Sequence, residues 1–385
     1  MKRKSIACLL FAGVLAFADR PASSQPPRGP WVVSPQVNPD HTVVFRYLAP
    51  TAREVLLNGQ FDDKPQAMTR DSIGIWSVTV GPIKPDIYPY NFIVDGISVM
   101  DPANTEYFPN ERFKASLVDV PSNTPLMHSL QDVPHGTVTY EYYPSAAGTT
   151  GCLVIYTPPG YEHHSKKYPV FYLISGTTDT EETWFKVGRA NLILDNLIAQ
   201  GKAKPMIIVM PYGNIEARIA AQTGKPKPAD PANREGEEAV NRARAFGQDL
   251  VNNVIPHVEK NYRVLANRSN RAIGGFSRGG GQTLRTAFDH LDRFAWLCCY
   301  SAYLSGQEME RDYRFIYENP KRTNQQLKLL WVSVGSEDFL YQQTLDFLDF
   351  LEAKSLRHKR LITSGGHTWM NTKLFLTESA QLLFQ

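Results

Sequence analysis

Cysteine is scarce in this chain, with four residues among 385, at positions 8, 152, 298 and 299. Neither Cys-x-x-Cys nor His-Glu-x-x-His occurs, so no metal site is expected. Cys298 and Cys299 are adjacent in the apolar run Ala295 to Tyr300. That placement indicates buried thiols rather than a disulfide framework. Long apolar runs are also lacking. Ile6 to Phe17 is too short to span a bilayer comfortably, and nothing later in the chain exceeds it. Charge of one sign is lacking too: the formal net charge is +3, with no basic stripe interleaved with aromatics, which argues against a nucleic-acid partner.

The N-terminus reads as an address. Met1-Lys2-Arg3-Lys4 is a basic start, Ile6 to Phe17 an apolar stretch, and Ala16-Phe17-Ala18 a small-residue cleavage site. Residues 1–18 are therefore expected to be a signal peptide, with cleavage as late as Ser24. The mature protein is expected to be soluble, without a membrane partner, and secreted or periplasmic.

Two modules follow. Residues 27–120 carry short runs rich in β-formers, among them Val43-Val44-Phe45, Trp76-Ser77-Val78-Thr79-Val80 and Tyr90-Asn91-Phe92-Ile93-Val94. Turn residues separate them at spacings of about ten, the pattern of an all-β, immunoglobulin-like sandwich. Residues 121–137 read as an inter-domain linker. It carries Leu126, Met127, Leu130 and Val133 and is not Gly/Ser-rich, so it is expected to dock on the protein. Over 138–385, apolar strand-like runs alternate with helical patterns, the sign of an α/β domain with a mostly parallel sheet covered on both faces. The polar stretch Pro211 to Ala245 has no apolar period. It reads equally as a substrate-facing insertion at a strand's carboxyl end or as a surface loop.

Gly275-Phe276-Ser277-Arg278-Gly279 carries the chemistry. An apolar strand-like pair, Ala272-Ile273, precedes it and a helix-compatible segment, Gln282 to His290, follows. This is the strand–turn–helix setting of a nucleophile elbow, and small residues must flank so sharp a turn. Farther on, Leu329 to Val334 reads as a buried strand ending in Gly335-Ser336-Glu337-Asp338. Leu361-Ile362-Thr363 leads to Ser364-Gly365-Gly366-His367. Serine is a weak nucleophile until a base takes its proton, and the base needs a carboxylate to fix its tautomer. Ser277, Asp338 and His367 supply these three in the order of the α/β-hydrolases. Glu337 is the alternative acid. His358 and His290 have simpler roles as solvated or helix-terminal residues.

The span from Tyr156-Thr157-Pro158-Pro159-Gly160-Tyr161 to about Leu383 resembles the esterase-D-type carbohydrate esterases, which include feruloyl and acetyl-xylan esterases. The likeness rests on Phe246-Gly247-Gln248-Asp249-Leu250, the serine turn, Gly335-Ser336-Glu337-Asp338-Phe339-Leu340-Tyr341 and Gly366-His367-Thr368-Trp369. The N-terminal segment looks like the family 48-type carbohydrate-binding or early-set sandwiches that precede such esterases. The resemblance implies a cofactor-independent serine esterase that removes acyl groups from plant-type polysaccharides, with feruloyl first and acetyl second. Its partner would be an acylated polysaccharide or oligosaccharide. It implies oxyanion donors at Arg278 and Thr177, and substrate contacts at Trp184, Trp369 and Arg278. Two positions depart from the pattern: Ser175 stands where His is usual and Arg278 where Met is usual. Arg278 either favours an acidic substrate or pairs with a carboxylate elsewhere. A siderophore esterase of the enterochelin type and a catalytically silent glycan-binding protein are the alternative readings.

Overall fold

The computed structural model describes residues 30–226, 229 and 236–385. The expected signal segment, Lys227 and Pro228 lie outside the described residues. The C-terminal module is built on an eight-stranded sheet. Its strand order is Thr137–Pro144, Thr150–Thr157, Ile207–Pro211, Val170–Ile174, Arg271–Phe276, Trp296–Tyr300, Leu329–Gly335 and Lys359–Thr363. The first two strands pair antiparallel with their neighbours, and from Ile207–Pro211 onward every pairing is parallel.

Burial of alternate residues explains the continuous apolar runs. Leu153, Ile155, Tyr172, Ile174 and Ile273 enter one core, whereas Val154, Tyr156, Phe171, Leu173 and Ala272 enter another. Both faces of the sheet are thus covered, and strands of this kind need no polar side. Helices Arg278–Asp289 and Trp369–Ala380 lie among the covering layers.

The N-terminal residues form a four-stranded and a six-stranded antiparallel sheet. Val43, Phe45 and Trp76 of one face Leu57, Tyr90, Phe92 and Val118 of the other across a shared core. Ile87, Phe108, Ala115 and Leu117 point the opposite way and join the core beneath the large sheet, with Trp184 and Val187. The two modules therefore share apolar packing.

The linker is pinned as well. Asn196 Nδ2 donates to Met127 O at 2.8 Å and Ser129 O at 2.9 Å. Buried Asp195 accepts from Gly136 N at 3.0 Å and from Tyr156 Oη at 2.6 Å. Lys373, in the helix after His367, makes an ion pair with Asp86 of the N-terminal module. The stretch 211–245 differs from the loop reading. Helix Ile215–Thr223 occupies its start, and helix Glu237–Asp249 begins before its end. The first of these buries only Ile215 and Arg218, which is why no apolar period was visible.

Asp249 is the polar anchor of this region. Its carboxylate accepts from Ser145 Oγ at 2.7 Å, Asn253 Nδ2 at 2.7 Å, Tyr143 Oη at 2.8 Å, Ala146 N at 2.9 Å and Arg218 Nη2 at 3.2 Å. Burial pushes this carboxyl up, but the Ser145 and Tyr143 hydroxyls, the Asn253 amide and the Ala146 N–H outweigh it, and it titrates below the ordinary 3.8. A depressed folded-state value stabilises the fold above pH 3.8, and the contribution is lost as pH falls through the folded value. Asp249→Asn should therefore lower stability at pH 7 by on the order of 3 kcal/mol. In urea melts the gap to the parent should narrow below about pH 4, the ordinary carboxylate range. A gap that stays constant with pH would contradict the assignment.

Candidate active site

Strand Arg271–Phe276 lies between Val170–Ile174 and Trp296–Tyr300 and stops at Ser277. Ser277 has φ 55° and ψ −118°, a conformation that L-residues rarely adopt. Its N–H donates to Tyr300 O at 2.9 Å, and helix Arg278–Asp289 starts at the next residue. The flanking glycines are steric requirements. A Cβ on Gly275 would lie 2.5 Å from the carbonyl carbon of Gly279, and one on Gly279 would lie 2.4 Å from Ile174 O. Bare backbone lets the turn press against the end of the neighbouring strand, with the serine hydroxyl at the mouth of the sheet.

Asp338 and His367 are brought together by the two loops that follow the next strands. Asp338 Oδ2 lies 2.8 Å and Oδ1 3.0 Å from His367 Nδ1. Burial pushes the Asp338 carboxyl up, yet the His367 ring and the Leu340 N–H outweigh it and leave it below the ordinary carboxylate range. An ionised carboxylate only accepts, so Nδ1 carries the proton and Nε2 is left with its lone pair. The imidazole is held between two rings, Phe276 at 4.6 Å and Phe339 at 4.5 Å between centroids. Glu337 is exposed, with its carboxylate 3.4 Å from Gly365 N. The structure thus brings Asp338, and not Glu337, to the histidine.

Loop 175–180 forms the wall beside Ser277. Ser175 Oγ donates to Thr180 O at 2.9 Å, and Arg278 Nη2 donates to Gly176 O at 3.0 Å. Asp179 Oδ2 accepts from Gly176 N at 3.1 Å. Burial raises the Asp179 carboxyl to about 7, against the pull of the Arg278 guanidinium, the Gly176 N–H and the Asn110 amide, with Glu111 adding to the rise. Thr177 and Arg278 both line the same cleft as Ser277, a space of about 310 Å³. Arg278 is the first residue of its helix, so its N–H lies at the helix's N-terminus, beside Ser277.

The two tryptophans fall elsewhere. Trp184 is completely buried and packs edge-on to Trp369 at 4.8 Å and to Tyr300 at 6.0 Å. Trp369 is buried against Phe276 at 5.4 Å. Both belong to the core, Trp184 wholly enclosed and Trp369 nearly so, which corrects the expectation that these rings are substrate-contact surfaces. Arg278 faces the cleft while its guanidinium serves the loop.

Several residues that the sequence does not single out one by one also stand at the site. Gly213, Asn214 and Glu216 line the cleft from the stretch left open between insertion and surface loop. Arg112 reaches it from the N-terminal module. Phe339 is exposed and tilted against the His367 ring at 4.5 Å. Among the described residues no group of three or more His, Cys, Asp or Glu side chains could hold a metal ion, and no helix is long and apolar enough to cross a membrane.

Known proteins are similar to this chain in sequence and in fold. The model of the Esterase family matches residues 147–370. An endo-1,4-beta-xylanase/feruloyl esterase of Xylanibacter ruminicola is 27% identical over 361 residues, 91% of this chain and 46% of that protein. The chain thus spans less than half the length of that curated relative. Two solved structures show the same fold. A ferulic acid esterase from Anaeromyces mucronatus, in complex with ferulic acid, has a TM-score of 0.56 at 21% identity, covering 69% of this chain and 97% of that one. The enterobactin esterase of Shigella flexneri has a TM-score of 0.60 at 15% identity, covering 89% and 93%. With the family model spanning more than half of its length, the chain belongs to the Esterase family of carboxylic ester hydrolases.

Proposed function

We propose that this protein is an exported serine esterase that removes acyl groups from plant-type polysaccharides, feruloyl esters first and acetyl esters second. The observation that carries the chemistry is the Asp338–His367 hydrogen bond at 2.8 Å, with the His367 ring 4.6 Å from that of Phe276, the residue before the serine held at φ 55°. Ser277 Oγ attacks the ester carbonyl carbon while His367 Nε2 takes its proton. Charge on the carbonyl oxygen is received by the N–H groups of Arg278 and Thr177. Collapse expels the sugar alkoxide, which takes the proton from His367 and leaves an acyl-serine. Water then gives a proton to His367 and its oxygen to the acyl carbon, and Ser277 departs reprotonated.

The substrate class is supported by the relative named as a xylanase/feruloyl esterase, similar over 91% of this chain. Exposed Phe339, beside His367, offers an aromatic ring of the kind a cinnamoyl group packs on. Export rests on the basic and apolar N-terminal segment. A glycan-binding role for the N-terminal module belongs to the same proposal. The likeness in fold to the enterobactin esterase spans both modules and favours a catechol ester as the second reading.

A hydrolysis panel of methyl ferulate, acetylated xylan and a catecholate trilactone separates these readings. The highest kcat/KM is expected on methyl ferulate, and turnover of the trilactone alone would overturn the polysaccharide reading. Ser277→Ala should reduce turnover by a factor on the order of 10⁴ to 10⁶ without loss of folding; a variant keeping several per cent of its rate would exclude this nucleophile. Asp338→Asn should cost roughly 10⁴ in kcat through the wrong imidazole tautomer. Glu337→Gln should stay near the parent rate, and the reverse ranking would move the acid to Glu337.

A further inference from the structure

Three consecutive residues of the N-terminal module reach the wall of the Ser277 cleft. Asn110 is buried and forms an antiparallel bridge with Asp179. Its Nδ2 lies 3.1 Å from Thr178 Oγ1 and 3.2 Å from Asp179 Oδ1. Glu111 N donates to Thr178 O at 2.7 Å. The Glu111 carboxylate accepts from Tyr212 Oη at 2.7 Å and from Asn214 Nδ2 at 2.8 Å. Arg112 N donates to Asn110 Oδ1 at 2.9 Å, and Arg112 lines the cleft itself.

The contacts converge on one residue. Gly176 has its N–H held by Asp179 and its C=O held by Arg278. A Cβ there would lie 2.9 Å from Asp179 Oδ2, so the carboxylate presses directly on the backbone. Thr177, the next residue, presents the second N–H assigned to the oxyanion. Asn110 holds Asp179, Asp179 holds Gly176, and Glu111 ties the same loop to the opposite wall at Tyr212 and Asn214. The chain of contacts runs from the N-terminal module to Gly176, the residue before Thr177.

We propose that Asn110 and Glu111 are positioning residues for ester hydrolysis, so that the N-terminal module completes the catalytic site and is not only an anchor for polymer. The proposal rests on the serine-esterase reading above. An oxyanion donor displaced by a fraction of an ångström still allows the ester to bind but stabilises the tetrahedral state poorly, so the loss falls on kcat. A role confined to polysaccharide anchoring would leave a small soluble ester unaffected.

The test uses full-length Asn110→Ala and Glu111→Ala on p-nitrophenyl acetate, with thermal melting of each variant and Ser277→Ala alongside. Asn110→Ala should lower kcat by about 10²-fold, the scale of an ångström-sized misplacement, with KM changed by less than about threefold. Glu111→Ala should lower kcat in the same sense by a smaller factor, and both should melt well above the assay temperature. Parent-like kcat in both variants, a loss carried by KM alone, or a loss that disappears on cooling below a lowered melting point would each overturn the positioning role. If Ser277→Ala itself retains turnover, the nucleophile assignment fails, independently of the behaviour of Asn110.

Discussion

The contact between the serine turn and the end of strand Val170–Ile174 is the constraint on which the rest of the site depends. Gly275 and Gly279 bring backbone to backbone at a separation that no side chain permits. That closeness goes with Ser277 at φ 55° and with helix Arg278–Asp289 starting at the very next residue, its first residue lining the cleft. The strain is held by the hydrogen bond to Tyr300 O and by strands paired on both sides. It is then met by two loops that leave the same end of the parallel sheet with the acid and the base. A parallel sheet delivers the loops that follow its strands to one end, so Asp338 and His367, 29 positions apart in sequence, become neighbours.

The departures at Ser175 and Arg278 are linked in space. Ser175 closes loop 175–180 on itself through Thr180 O, and Arg278 holds the same loop through Gly176 O. Two departures far apart in sequence thus act on one segment. Asp179 is held in this setting as a carboxyl raised to about 7 by burial, partly relieved by the Arg278 guanidinium. The guanidinium therefore has a structural task before any contact with an acidic substrate.

Much of this was legible in the sequence, for local reasons. The nucleophile turn has a glycine signature because its geometry excludes Cβ atoms, and the buried strands read as apolar runs because both faces are covered. The choice between Asp338 and Glu337 was not settled by pattern, since adjacent carboxylates after a strand differ only in which way each points. Trp184 and Trp369 were misread because an aromatic ring that stacks on a sugar and one that fills a core leave the same mark. Helix Ile215–Thr223 escaped notice because it buries so few residues. The Asn110–Asp179 contact spans 69 positions and joins two modules, so no window of the sequence contains it.

The central claim is that Ser277 is a nucleophile activated by His367. The most direct measurement is labelling of the folded protein with a fluorophosphonate at neutral pH, followed by peptide mass mapping. A single adduct on the peptide containing Ser277, lost on replacement of His367 by alanine, is the predicted result. An adduct on another residue, or equal labelling without His367, would contradict it.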